Sequence, residues 1–143
     1  MNINSKKGKN LQDMKVNVKI KLAALWASLM FIYIYVDLYS LYKPGVIEDI
    51  LKGIVWQFEI TQGWAMGALV LMAIPSLMIF LSIILKPKLN RWINIIVGIL
   101  YIIISVGNVI GETWFYYIFG TVIEFVLLIL VVWFSWKWPT TEV

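Results

Sequence analysis

The sequence predicts an all-α membrane protein, a bundle of four transmembrane helices with a short amphipathic helix in the outer loop between spans one and two. Two observations carry that expectation. Of the 143 residues, 62% are hydrophobic and only 14% are charged, against roughly 45–50% and ~25% in a soluble domain. So few polar side chains cannot coat a water-facing surface. The apolar residues are also gathered into four runs of about 20 residues each, the length that crosses a hydrocarbon core.

The first run, 22–41, reads LAALWASLMFIYIYVDLYSL and is apolar or aromatic apart from Ser28, Asp37 and Ser40. It is followed by Tyr42-Lys43-Pro44-Gly45, which offers no small-x-small cleavage site, so the span is expected to stay as an anchor. The second, 64–85, carries no charge. Pro75 in its middle removes a backbone hydrogen bond, so a kink or local widening is expected there, with neighbours re-satisfying the backbone. The third covers 92–111. The fourth covers 114–136 and is charged only at Glu124. Trp64, Trp92, Trp114, Trp133, Trp136 and Trp138, with Tyr39, Tyr42, Tyr116 and Tyr117, fall near span ends, where amphipathic rings are favoured at the headgroup level. The four-helix domain is thus 22–138, between a basic tail at 1–21 and a C-terminal tail at 139–143.

The loop after span one opens on Pro44-Gly45, a turn signal. Val46, Ile47, Ile50 and Leu51 then follow helical spacing, opposite Glu48, Asp49 and Lys52, and Gly53 is placed to end the helix. From Ile54 the period changes. Trp56, Phe58 and Ile60 alternate with Gln57 and Glu59, which predicts an extended return to Thr61, the N-cap of span two. Two GxxxG patterns, Gly63 to Gly67 and Gly107 to Gly111, would permit close helix approach, within the bundle in preference to between subunits.

Basic residues set the orientation. Lys6, Lys7, Lys9, Lys15, Lys19 and Lys21 precede span one; Lys86, Lys88 and Arg91 lie between spans two and three, and Lys137 follows span four. The opposite side has only Lys43 and Lys52. The positive-inside rule then puts both termini in the cytoplasm.

An ionisable residue inside a span is the best pointer to function, because it must face a partner or a water-filled cavity. Glu124 is the deep one, about 10 residues from the outer end of its span, or ~15 Å at 1.5 Å per residue. Three helices carry polar stripes at helical spacing: Met30, Tyr33, Asp37 and Ser40 in span one; Tyr101, Ser105, Asn108 and Glu112 in span three; Tyr117, Thr121 and Glu124 in span four. Turned inward together, they would enclose an acidic, Tyr-lined pocket opening to the outer side. No basic residue lies inside any span to pair with Asp37 or Glu124. Burial without a cation disfavours the charged form, so Glu124 is expected to share a hydrogen bond with Thr121, Tyr101 or Ser105. The expected ligand-binding set is Glu124, Asp37, Tyr33, Tyr101, Ser105, Asn108, Glu112, Tyr117 and Thr121.

Cys and His are both absent, which removes disulfides, thiol nucleophiles, Cys/His metal or haem sites and His acid/base chemistry. There is no phosphate-binding Gly loop and no Gly-x-Ser-x-Gly. Neither a metal nor a cofactor is expected, and nucleic acid is not an expected partner, because the net charge of +4 has a topological explanation. Two readings compete. In one, the pocket binds or transports a small cationic or lipophilic molecule, as a homo-oligomer if it transports. In the other, the chain is a structural or accessory subunit of a membrane assembly and its polar stripes only lock helices together. A lipid-modifying enzyme is the third and weakest, with Asp37, Glu112, Glu124 and the tyrosines as its only available groups.

The stretches Phe31-Ile32-Tyr33-Ile34-Tyr35-Val36-Asp37 and Leu41-Tyr42-Lys43-Pro44-Gly45-Val46-Ile47-Glu48 resemble a family of short bacterial membrane proteins of unknown function. Glu59-Ile60-Thr61-Gln62-Gly63, Met72-Ala73-Ile74-Pro75-Ser76-Leu77-Met78, Asn90-Arg91-Trp92-Ile93-Asn94 and Gly107-Asn108-Val109-Ile110-Gly111-Glu112-Thr113-Trp114 are similar too. The resemblance runs over 22–139 and implies a four-span protein of the bacterial inner membrane. It implies no activity, substrate or catalytic residue.

Overall fold

The computed structural model describes residues 14–140. The lysines at Lys6, Lys7 and Lys9, and residues 141–143, lie outside the described residues. The elements are α1 (Val18–Ser40), α2 (Val46–Leu51), β1 (Ile54–Val55), β2 (Phe58–Glu59), α3 (Gln62–Ile84), α4 (Pro87–Val109) and α5 (Phe115–Trp136). The helices α1, α3, α4 and α5 are each long and apolar enough to cross a membrane.

Local chemistry sets where the helices begin. Asn17 caps α1 by accepting the Lys19 N–H at 2.9 Å. Thr61 caps α3 by accepting the Trp64 N–H at 3.1 Å, the role the sequence predicts for it. Pro87 opens α4, where its missing N–H costs nothing. The backbone helices α1 and α4 begin a turn or more before the apolar runs at 22 and 92. They continue through Lys19, Lys21, Lys88 and Arg91. Lys19 reaches across to the end of α3, donating to the carbonyls of Ile83 at 3.1 Å and Leu85 at 2.7 Å. A cation on those last carbonyls satisfies groups that a helix end leaves bare.

Side by side, α4 packs along α5, α5 along α1 and α1 along α3; α3 and α4, although consecutive, share the least contact of these pairs. The segment before α1, the α3–α4 turn and the segment after α5 gather at one end, termed the terminal end; α2 and the hairpin form the loop end. The core is built from Leu22, Trp26 and Leu29 of α1, Met78 of α3, Tyr101 of α4, and Leu128 and Val131 of α5. Ser82, Asn90, Asn94, Ser105, Thr121, Glu124 and Ser135 are buried with it. Large apolar side chains such as Phe31, Leu69, Phe80, Ile103 and Phe119 face outward. Polar groups inside and apolar groups outside is the arrangement a lipid solvent imposes.

Close helix approach comes from glycines other than the GxxxG pairs. A Cβ on Gly120 would meet Val36 Cγ2 at 2.5 Å, and one on Gly98 would meet Val132 Cγ2 at 2.9 Å. These two positions bring α1 and α4 against α5. Gly67, Gly107 and Gly111 have nothing within 4 Å of such a Cβ, and Gly63 meets only its own cap, Thr61. The expectation that the GxxxG pairs pack the bundle is therefore corrected: their small faces point away from the neighbouring helices.

At the loop end the helix α2 forms where the spacing predicts it. The run after it is not one extended strand. Ile54 pairs with Glu59 and Val55 with Phe58 in a two-stranded hairpin, and Trp56 takes a positive φ of 57° to make the turn. A two-residue turn needs left-handed backbone, which is normally signalled by Gly or Asn. Trp56-Gln57 carries no such signal, so the alternation reads as uninterrupted strand.

Candidate functional site

The polar side chains fall into three layers along the bundle. The layer nearest the terminal end is absent from the sequence-derived site. Asn94 sits at its centre: its Oδ1 accepts from Trp26 Nε1 at 2.6 Å and from Ser82 Oγ at 3.3 Å. Its Nδ2 donates to Asn90 O at 2.9 Å and Asn90 Oδ1 at 2.6 Å. Asn90 Nδ2 in turn donates to Ser82 O at 2.6 Å. Trp26, Ser82, Asn90 and Asn94 are all fully buried, and this network ties α1, α3 and α4 together. Each donor finds an acceptor, which makes the layer a structural lock.

The middle layer holds Glu124. Ser105 Oγ donates to Glu124 Oε2 at 3.2 Å, and Tyr33 OH lies 3.5 Å from Ser105 Oγ. With the Ser105 proton committed to Glu124, Tyr33 is the donor in that second contact. Residues from α1, α4 and α5 thus meet, as the stripes predict. Tyr101 and Thr121 do not join them. Thr121 donates to its own helix, to Tyr117 O at 3.0 Å. Tyr101 OH donates to Leu71 O on α3. Leu71 is four residues before Pro75, so its carbonyl is the one left without an intrahelical donor, and Tyr101 supplies the missing hydrogen bond. Helix α3 runs on unbroken through Pro75. Asn108 is exposed on α4 and meets none of the others.

The loop-end layer contains Glu112, Lys43 and Asp37. Lys43 Nζ pairs with Glu112 Oε2 at 2.6 Å and lies 5.1 Å from the Tyr117 ring, 5.5 Å from Tyr116 and 5.7 Å from Trp114. Glu112 Oε1 also accepts the N–H groups of Thr113 at 2.9 Å and Trp114 at 3.0 Å. Burial acts to raise the pKa of Glu112, but the Lys43 ammonium and the two N–H donors outweigh it and hold the carboxyl below its ordinary range. Ser40 Oγ and Tyr116 OH bridge α1 to α5 at 3.1 Å.

Beneath α2 and the hairpin lies a cavity of about 470 Å³. Asp37, Ile50, Trp56, Trp64, Met72 and Tyr117 are among its walls. Among the described residues no ion pair reaches Asp37; Lys43 is engaged by Glu112, and Lys52 lies 3.8 Å from Asp49. Of the nine residues expected to share one pocket, only Asp37 and Tyr117 line this cavity. Buried Ser105 and Glu124 form a chain with the half-buried Tyr33 instead. The sequence reading missed Trp56 and Trp64 as cavity walls, because both read as loop or interface aromatics. It missed Asn90 and Asn94 because they flank Arg91 and look like the polar edge of span three; their spacing with Gly98, Tyr101 and Ser105 along one helical face was the available signal.

Fold and site together define a multi-pass membrane protein with an apolar outer surface and inward-turned polar layers. Within that class the chain belongs to a family of unknown function, DUF6326, whose profile matches residues 10–143. This agrees with the resemblance seen in the sequence. No curated protein and no solved structure matches the chain.

Proposed function

We propose that this protein binds a small lipophilic cation in the loop-end cavity, in the bacterial inner membrane with both termini cytoplasmic. One observation carries the reading: the cavity is walled mostly by aromatic and aliphatic side chains, the Lys43 in its wall is paired with Glu112, and Asp37 stands in it in no ion pair among the described residues. A delocalised organic cation answers both features. Its apolar body is taken up by Trp56, Trp64 and Met72, its charge is met by Asp37, and aromatic faces add cation–π attraction. The orientation is supported by the basic residues Lys15, Lys19, Lys21, Lys86, Lys88, Arg91 and Lys137 at the terminal end. The reading is of binding.

Tetraphenylphosphonium is a suitable probe. Titrated calorimetrically into the reconstituted protein, it is expected to bind at least tenfold more weakly to Asp37→Asn, with an unchanged melting temperature. Wild-type affinity in that variant would refute the reading. A specific observation favours a structural role for Glu124: it already accepts from Ser105, whose hydroxyl is itself in contact with Tyr33. Glu124→Gln is accordingly expected to lower thermal stability and to leave probe affinity as it was.

A further inference from the structure

We propose that the groove between the first turn of α4 and the segment after α5 holds the phosphate of an anionic phospholipid headgroup. It measures about 520 Å³ and is walled by Pro87, Lys88, Arg91, Trp92, Trp138 and Pro139. This site lies at the opposite end of the molecule from Asp37 and is independent of the cation-binding reading.

Charge is the first argument. The side chains of Lys86, Lys88, Arg91 and Lys137 enter no ion pair among the described residues, Lys137 resting on the Trp133 ring at 4.0 Å, and the described acidic residues, Asp37, Glu48, Asp49, Glu59, Glu112 and Glu124, all lie in the middle or loop-end layers. Among the described residues the groove is therefore a positive surface without a counter-charge; Asp13 and Glu142 lie outside them. Arg91 is the second. Its guanidinium carbon lies 5.9 Å from the Trp92 ring and 5.7 Å from the Trp136 ring, which places the group between two indoles. Its Nε is shielded from solvent and has no hydrogen-bond partner among the described residues. A buried N–H without an acceptor is unfavourable, and a phosphate oxygen supplies the acceptor that a planar fork is shaped to receive.

The backbone adds to this. The N-cap of α4, Lys86, makes no side-chain cap, so the N–H groups of Lys88 and Leu89 are left facing out from the positive end of a 23-residue helix. The aromatic frame identifies the source of the phosphate. Trp92, Trp133 and Trp136 are exposed on the outer surface at this level, and Trp rings mark the headgroup region. The groove therefore opens where lipid phosphates reside, and a phospholipid can seat its chains against the exposed faces of α4 and α5 while its phosphate reaches Arg91 and Lys88.

Native mass spectrometry of the detergent-solubilised full chain tests this, using phosphatidylglycerol and phosphatidylcholine of identical acyl chains. Preferential retention of phosphatidylglycerol is expected, reduced about fivefold in Lys88→Gln and further in Lys88→Gln/Arg91→Gln. Lys52→Gln, at the loop end, is expected to bind as wild type. Equal retention of the two lipids overturns the proposal, as does displacement of phosphatidylglycerol by millimolar inorganic phosphate, which would mark a site for a soluble anion. Should Arg91→Gln fail to fold, the exposed Lys88→Gln decides alone, and unchanged phosphatidylglycerol binding in it is equally fatal.

Discussion

The Asn90–Asn94 layer and the loop-end cavity use polar groups in opposite ways. Near the terminal end, Trp26, Ser82, Asn90 and Asn94 are fully buried and their side chains bond one another or a neighbouring carbonyl. At the loop end Asp37 borders a cavity of about 470 Å³ with no ion pair among the described residues. A closed network fixes helices and has nothing left to offer a ligand. An open carboxylate contributes little to packing and keeps its bonding capacity for something else. Counting polar residues inside the spans does not separate the two cases; asking which of them already have partners does.

That contrast can be broken most directly at Asn94. Asn94→Leu strands the indole N–H of Trp26 and the hydroxyl of Ser82, and removes a donor from Asn90, so a loss of about 2–3 kcal/mol is expected in a sodium dodecyl sulfate unfolding titration. A loss no larger than that of Asp37→Asn would erase the distinction between lock and site. Gly120→Ala comes next. Its new Cβ would fall 2.5 Å from Val36 Cγ2, and overpacking at such a contact costs about 1–3 kcal/mol; the smaller Val36→Ala change, added to it, should recover part of that loss in the same titration. Tyr101→Phe removes only the donor to Leu71 O, with an expected effect of about 1 kcal/mol and faster amide exchange in the turn around Pro75.

The smallest effect belongs to the loop end and depends on pH. The pKa of Glu112 is lowered in the folded protein, so its pairing stabilises the fold above the ordinary carboxylate range and is lost as pH falls through the depressed folded value. The melting temperature of Glu112→Gln should lie below that of the wild type at neutral pH, and the gap should close on acidification. A gap that persists unchanged into strong acid would show that Glu112 acts through shape and not through charge.

Much of the architecture was legible in the sequence. The four spans, the helix at α2 and the Thr61 cap follow from run length, spacing and a single hydroxyl. The meeting of Tyr33, Ser105 and Glu124 follows from their stripes. Other features depend on tertiary contacts that spacing does not encode. Asn108 shares its stripe with Tyr101 and Ser105, yet no helix covers that part of α4 and the side chain is exposed. Tyr101 leaves the expected pocket because Pro75, on another helix, creates a stronger claim on its hydroxyl. The hairpin turn at Trp56 lacks the residue types that announce such turns, and Gly98 and Gly120 pack closely without belonging to any motif.

The bond from Tyr101 to Leu71 also bears on biosynthesis. Synthesis delivers α3 before α4, so for a time the Leu71 carbonyl sits in a hydrophobic medium with no donor. We expect α3 alone to be a poor candidate for release into lipid and the pair to leave the insertion machinery together. Nascent chains arrested just after Leu85 should then stay crosslinked to that machinery, whereas chains extended past α4 should be freed, and Tyr101→Phe should delay the release.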